Sequence, residues 1–464
     1  MKKTFSILFL LLVVSVTSGC QPKVAPSNSE VTGENLLPRP TDVVHNLQEL
    51  CDFVDYGVFN RLDYVTVTLQ DYEIEDLETE LAKVYWTAQL VDINPVISGE
   101  LYDDQLTINI VYRAKRTLIS ASDHDAYVHG HDVAFVPYIP LRDETFTDFA
   151  YKDYEVAVAL STSDQLWYCL DQGYRPLPEP GSIAETYLAQ AEDILRDIVD
   201  DSMSDEGKVR AIYDWMSANM TYDFDAATLS TSDELAAMYD AYYLEGVMDN
   251  YRGVCDAFAK LFTLLVNMEG IPCKRVLGPS LAEYNSPIMG SVGHAWNLVQ
   301  IGSTWYTIDP TGANAIFSSH GFGIASHFYY LTSEQKHLDN YAGGYKRYGY
   351  PDINPIQEYN YYGNTHYDPA RNPTSANDLV MFNLAELTDY LTYARTLPDE
   401  GDYHYLSAEV KLGFSPGYEI DDEIETAITN SGWASTWEGI YRYYEDTNRL
   451  IMILRCNVEL HQQA

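Results

Sequence analysis

The chain has 464 residues, 46% of them hydrophobic and 13% aromatic, which excludes a wholly disordered protein and suits two to four packed domains. Its 69 acidic and 28 basic side chains give a formal charge of −41. A surface of that sign repels phosphate backbones and anionic headgroups. Nucleic-acid partners are therefore excluded, and membrane contact needs an anchor other than a basic patch.

The N-terminal segment supplies such an anchor. Lys2 and Lys3 precede an apolar run from Phe5 to Val16, then Thr17-Ser18-Gly19-Cys20. A charged start, an apolar run too short for a spanning helix and small residues before a cysteine describe an export signal. The pattern resembles a bacterial lipoprotein signal over residues 1–20, in which Cys20 becomes the lipidated residue. Thr17 stands where that pattern usually has an aliphatic residue, and ordinary secretion is the alternative. The expectation is a chain held on the extracytoplasmic side of the cell membrane by its lipid alone. Residues 21–42, rich in Pro, Ser and Asn, form a flexible tether.

Two distant segments are alike. Asn46-Leu47-Gln48-Glu49-Leu50 continues to Asp52 and Tyr56, and Asn383-Leu384-Ala385-Glu386-Leu387 continues to Asp389 and Tyr393. Leu47, Leu50 and Val54 in one, and Leu384, Leu387 and Leu391 in the other, fall at helical spacing. Each is followed by an alternating strand (Tyr64–Leu69, Tyr405–Val410), a second helical stretch (Leu77–Tyr85, Ile424–Asn430) and a closing strand (Leu106–Tyr112, Leu450–Cys456). Residues 43–178 and 381–464 thus read as two related α+β modules around a central domain, residues 180–345. In that domain Ser182 and Glu185 make a capping-box start for a helix to about Val199, and a second helix begins near Asp205. Residues 346–380, rich in Tyr, Asn, Pro and Gly, read as a linker or surface loop.

Two stretches of the central domain carry chemistry. In Gly253-Val254-Cys255-Asp256-Ala257-Phe258-Ala259, Gly253 permits a tight turn. An apolar stripe of Phe258, Leu261, Phe262, Leu265 and Met268 then marks one helix face, ended by Gly270 and Pro272. Cys255 so stands at a helix N-terminus, where free N–H groups and the dipole favour a thiolate and can donate to an oxyanion. The charge of Asp256 opposes thiolate formation. The second stretch runs His294-Ala295-Trp296-Asn297 to Ile301, then Gly302-Ser303, then Thr304-Trp305-Tyr306-Thr307-Ile308-Asp309-Pro310. A two-residue turn makes it a hairpin with Asp309 opposite Trp296 and His294 opposite Thr311. His294 and Asp309 then share a face, roughly 7–8 Å apart at Cα. Cysteine, imidazole and carboxylate together suit acyl transfer: the base takes the thiol proton and the carboxylate fixes its tautomer.

These motifs resemble the transglutaminase-like superfamily, with its papain-like Cys-His-Asp arrangement. Gly253-Val254-Cys255, Ala257-Phe258-Ala259, Gly270-Ile271-Pro272-Cys273, His294 to Asn297, Trp305 to Thr311 and the upstream Thr221-Tyr222-Asp223 all match in order. The resemblance covers about residues 200–335. It implies an α+β fold: a central transglutaminase-like (papain-like) core with an N-terminal helix layer and an antiparallel sheet, flanked by the two smaller modules. It also implies Cys255 as nucleophile, His294 as base and Asp309 as orienter, acting through a thioester on a protein or peptide substrate without a cofactor. Trp296 and Tyr222 are candidates for substrate contact. Hydrolysis is favoured over transamidation, since water needs no amine site. The alternative is a catalytically silent surface protein that binds peptide or glycan.

Of the remaining cysteines (Cys51, Cys169, Cys273 and Cys456), Cys51 and Cys456 lie in apolar patterns and read as buried thiols. The spacing shows no disulfide framework. No CxxC pair exists, so no thiolate zinc site is expected. Asp123, His124, Asp125, His129, His131 and Asp132 carry metal-ligand types at no standard spacing and read as a polar loop.

Overall fold

A computed structural model describes residues 3–4, 37, 39–92, 95–112, 147–223, 226–227, 240–278, 293–312, 327–339, 347, 350–359, 365–366, 379–396, 403–413, 420–433, 437–444 and 448–457. The lipidation site Cys20, residues 21–36 of the expected tether and the histidine-aspartate loop from Asp123 to Asp132 lie outside them, whereas the end of that tether is docked: Leu37 packs on the core, Arg39 lies over the Phe53 ring, and Asp42 O accepts from Thr68 N at 2.7 Å. No helix among the described residues is long and apolar enough to cross a membrane.

The N-terminal module contains β1 (Lys3–Thr4), β2 (Val43–Val44), α1 (Leu47–Phe59), β3 (Tyr64–Leu69), α2 (Leu77–Ala88), β4 (Pro95–Tyr102) and β5 (Gln105–Tyr112). Asn46 starts α1: its side chain accepts from Glu49 N at 3.0 Å, and Glu49 reaches back to His45 N at 2.8 Å. Reciprocal bonds of this kind satisfy donors that a helix end leaves open. The strands lie in the order β1-β4-β5-β3-β2, with β2 parallel to β3 and the other neighbours antiparallel. Strand alternation puts Val65, Val67, Leu106, Ile108 and Ile110 into one core with Leu50, Val54 and Val58 of α1.

The central region continues with β6 (Ala157–Leu160), α3 (Ser163–Asp171), β7 (Arg175–Pro178), α4 (Ile183–Ile198), α5 (Asp205–Asn219), β8 (Thr221–Tyr222), α6 (Leu244–Asp249), β9 (Arg252–Gly253) and α7 (Cys255–Met268). It closes with β10 (Cys273–Gly278), β11 (His294–Ile301), β12 (Thr304–Ile308) and α8 (Glu334–Asp339). Ser182 caps α4, accepting from Glu185 N at 3.2 Å while Glu185 accepts from Gly181 N at 2.6 Å. β10, β11 and β12 form an antiparallel sheet in which Asn297 opposes Ile308 and Ile301 opposes Thr304. Gly302, at φ 61°, makes the left-handed turn between the last two strands.

The helix carrying Cys255 differs from a one-faced amphipathic helix. Every residue of α7 is buried, the polar Asp256, Lys260, Thr263 and Asn267 included. α3, α5, α6 and the sheet pack around it, and each polar side chain finds a partner inside. Asn297 of β11 donates to Ala259 O (2.9 Å) and Thr263 Oγ1 (2.8 Å), while Asn267 donates to Cys273 O (2.8 Å). Side-chain bonds thus join apolar packing in tying the helix to the sheet.

Two expected boundaries also change. α3 packs on α7, so residues 163–171 serve the central domain; its core and that of the N-terminal module form one continuous cluster. Within the 346–380 segment, Tyr350 and Ile353 pack on the sheet face bearing Val276, Trp296 and Leu298, and Tyr350 Oη donates to Asp171 Oδ2 at 2.6 Å. This part is therefore docked structure and not a spacer.

The C-terminal module holds β13 (Thr365–His366), β14 (Leu379–Met381), α9 (Leu384–Ala394), β15 (Tyr403–Leu412), α10 (Ile420–Ile428), β16 (Trp437–Tyr444) and β17 (Arg449–Asn457). Its sheet order is β13-β14-β15-β17-β16, with β14 parallel to β15 and antiparallel pairs at β15–β17 and β17–β16. Its core is a separate cluster built on Leu387, Leu391, Ile424, Ile428 and Trp433.

Candidate active site

Three elements converge at one point. Cys255 is the first residue of α7, preceded by Val254, which has no side-chain acceptor with which to cap the first turn. The helix N–H groups therefore face the thiol end of the helix. Gly253 is needed for close approach and not for a left-handed turn: a Cβ there would meet Val247 Cγ1 at 2.7 Å and Ala257 Cβ at 2.8 Å.

His294 opens β11 and is 6% exposed. Its Nε2 lies 2.6 Å from Asp309 Oδ2, and Cys255 is close enough to act on its titration. Asp309 is fully buried and does two jobs. Its Oδ1 accepts from Thr311 N at 3.0 Å, shaping the turn before the hairpin ends, and its Oδ2 holds the imidazole. Burial alone would push the His294 pKa down. The Asp309 carboxylate and negative charge at Cys255 outweigh that and raise it to about 10. The site thus favours the imidazolium form of His294, held against the Asp309 carboxylate.

The charge of Asp256, beside Cys255, is absorbed behind the site. Lys260 Nζ lies 2.7 Å from Asp256 Oδ2, one helical turn on. Arg275 of β10 donates through Nε to Asp256 Oδ1 at 2.6 Å and through Nη2 to the same oxygen. Lys260 also donates to Tyr242 O at 2.9 Å and sits 4.4 Å from the Tyr243 ring centroid. All three charged residues are 0% exposed. A buried carboxylate held by two cations does not act as a net negative charge on its neighbour. The spacing Asp256 to Lys260 was readable as an i, i+4 pair; the approach of Arg275 was not.

Of the two candidates for substrate contact, Tyr222 is half-buried and borders the apolar cluster that contains Cys255. Trp296 is elsewhere. It is 0% exposed, stacks on His294 with centroids 5.7 Å apart, and packs against His337 at 5.0 Å. Two residues on from His294, it lies on the same face of β11, a covered face, and supports the imidazole from the side.

His337 of α8 completes that support. Burial lowers its pKa to about 3, so it stays a neutral ring. The ligand atoms of His294, Asp309 and His337 lie within 4.8 Å of one another, a grouping with metal-ligand chemistry. A zinc ion bridging His294 and Asp309 with bonds of about 2.0–2.1 Å would hold their ligand atoms roughly 3.3 Å apart. The observed 2.6 Å is a hydrogen bond, so these residues fit an orienting pair and not a metal centre. Cys51, Cys169 and Cys273 are buried free thiols, and burial raises all three, Cys51 to about 12.

Residues 192–310 match the model of the transglutaminase-like superfamily. This segment is a transglutaminase-like domain. It contains Cys255, His294 and Asp309. The chain is 25% identical to the mouse (Mus musculus) kyphoscoliosis peptidase over 153 residues, 32% of this chain and 22% of that protein. It is also 25% identical over 178 residues to the uncharacterized protein YebA of Bacillus subtilis (strain 168), covering 36% of this chain and 22% of the other. The chain therefore spans about a fifth of these curated relatives. A crystal structure of a TGase aligns with 58% of each chain at 14% identity and a TM-score of 0.22, too loose to carry an argument.

Proposed function

We propose that this protein is a cysteine-dependent amide hydrolase, acting at the cell surface through Cys255, His294 and Asp309. The observation that carries the proposal is the His294 Nε2–Asp309 Oδ2 contact of 2.6 Å, with Cys255 at a helix N-terminus and near enough to act on the imidazole's titration. Sulfur attacks the amide carbonyl, and the first N–H groups of α7 stabilise the oxyanion. His294 gives its proton to the departing amine, leaving a thioester. Water then attacks as His294 takes its proton, and the acid is released with Cys255 restored. Asp309 keeps the imidazole oriented throughout. The transglutaminase-like domain also suits acyl transfer to an amine; product that forms only with added amine would select that branch.

The export reading supports the surface location: Cys20 is lipidated and residues 21–36 tether the domain. Metabolic labelling with a tritiated fatty acid tests this, and label that persists in Cys20→Ala would overturn it. We also take the two terminal modules for copies of one unit, on their shared strand order and connectivity.

The catalytic reading is tested by the pH dependence of Cys255 alkylation by iodoacetamide, with Cys255→Ala and His294→Ala as controls. Fast labelling near neutral pH that collapses in His294→Ala is expected. Labelling that rises only above roughly pH 8.5, as for a free thiol, and ignores His294 would leave a binding role instead.

A further inference from the structure

The N-terminal module reaches the nucleophile. α2 ends at Ala88, and the turn that follows, Gln89-Leu90-Val91-Asp92, leaves its own module and is buried, with exposures of 1%, 8%, 2% and 2%. Leu90 packs in one apolar cluster with Cys255, Ala259, Leu277 and Ala295, which Tyr222 borders. Leu277 and Ala295 oppose each other on β10 and β11, and Ala259 lies one helical turn after Cys255. Ala259, Leu277 and Ala295 are 0% exposed, whereas Leu90 and Cys255 are each 8% exposed. What a molecule approaching the sulfur meets from this cluster is Leu90, with Tyr222 beside it.

The turn is held in place by the site's own electrostatics. Arg275 Nη1 donates to Gln89 O at 3.0 Å and Leu90 O at 3.3 Å while the rest of the guanidinium holds Asp256. Asp92 is pinned from the other side by Arg61 at 3.2 Å. One side chain thus neutralises the carboxylate next to the nucleophile and fixes the backbone that presents Leu90. A charge-assisted pair of carbonyl bonds is a strong anchor for a two-residue backbone.

We propose that Leu90 is a specificity-determining residue: it forms the apolar rim of the substrate groove beside Cys255 and selects amide substrates with an apolar side chain next to the scissile carbonyl. The inference rests on the reading of Cys255 as the nucleophile, but its test does not need turnover. Burial of an apolar group against an apolar wall favours its approach, and a polar wall of similar size leaves that group unmatched.

The experiment measures alkylation of Cys255 in the full chain by iodoacetamide and by N-benzyl iodoacetamide, and reads the ratio of the two rates. Wild-type protein is expected to prefer the benzyl reagent. In Leu90→Asn the ratio should fall by roughly tenfold, and in Leu90→Ala by a smaller factor. A ratio that stays within twofold of wild type in both variants would overturn the proposal. So would equal acceleration of both reagents, which would make Leu90 a plain cover over the thiol. Should Leu90→Asn fail to fold, Leu90→Ala and Leu90→Met decide the question. His294→Ala separates the two readings: labelling that ignores this substitution while the Leu90 variants still lower the ratio sinks the catalyst and sustains the rim, and labelling that collapses in it while the ratio ignores Leu90 sustains only the catalyst.

Discussion

The two terminal modules share a local plan and differ in what they join. Asn46 and Asn383 begin their helices with nearly the same backbone (φ −160° and −163°), the same bond from the third residue (3.0 and 3.1 Å) and the same return bond from a glutamate to the preceding N–H (2.8 Å in each). Both sheets place a short parallel strand beside a long one, then two antiparallel strands. The exits from their second helices diverge. After α2 the chain turns outward, and Gln89 and Leu90 meet Arg275 and the Cys255 cluster. After α10 it folds back: Gly432 takes φ 87°, and Trp433 Nε1 donates to Leu391 O at 3.1 Å. The first module thereby shares a core with the transglutaminase-like domain, while the second closes its own. One turn at the end of a helix decides whether a module takes part in the site.

That contrast is open to attack at several points. The largest effect is expected from Arg275→Met, which leaves Asp256 to Lys260 alone and releases the Gln89 and Leu90 carbonyls. A loss of about 3–5 kcal/mol is expected for such a buried charge cluster, measured by urea unfolding followed through Trp167, whose ring lies 5.1 Å from the guanidinium. A loss below about 1 kcal/mol would show that the anchor is dispensable.

Leu50→Ala and Leu387→Ala remove matching, fully buried side chains from α1 and α9. Each should cost about 2–5 kcal/mol. The first should slow Cys255 alkylation through the shared core, and the second should destabilise only the C-terminal module. Equal effects on the thiol would erase the distinction between the modules.

The pH dependence of unfolding sharpens the same point. The folded pKa of His294, about 10, lies above its ordinary 6.5. Its contribution to stability is therefore fully present below about pH 6.5 and is lost as pH rises toward about 10. The transition of the N-terminal and central region should weaken across that window and that of the C-terminal module should not follow it. Asp309→Asn should flatten the slope; a slope that survives it would have another origin. The smallest effects belong to the caps. Asn46→Ala and Asn383→Ala should each cost about 1 kcal/mol, and by similar amounts, because the bonds they remove are alike. Thermal unfolding of the two variants checks this, and a twofold disparity would show that tertiary context has entered even the cap.

What the sequence determined by itself is what short-range chemistry can settle. Asn, Ser and Gly at fixed offsets set the helix starts and the hairpin turn. The two-residue loop at Gly302-Ser303 set the β11–β12 register, and with it the shared side of His294 and Asp309. The motif order placed Cys255 at a helix N-terminus. Tertiary structure decided the rest. Arg275 meets Asp256 across 19 residues, Asn297 reaches Thr263 across 34, and Leu90 joins Cys255 from another module. A hydrogen bond within one turn depends on a few backbone angles and is written locally. The neighbours of a buried charge or of a leucine at the edge of the site depend on which surfaces the whole chain packs together, and no residue pattern within a few positions encodes that.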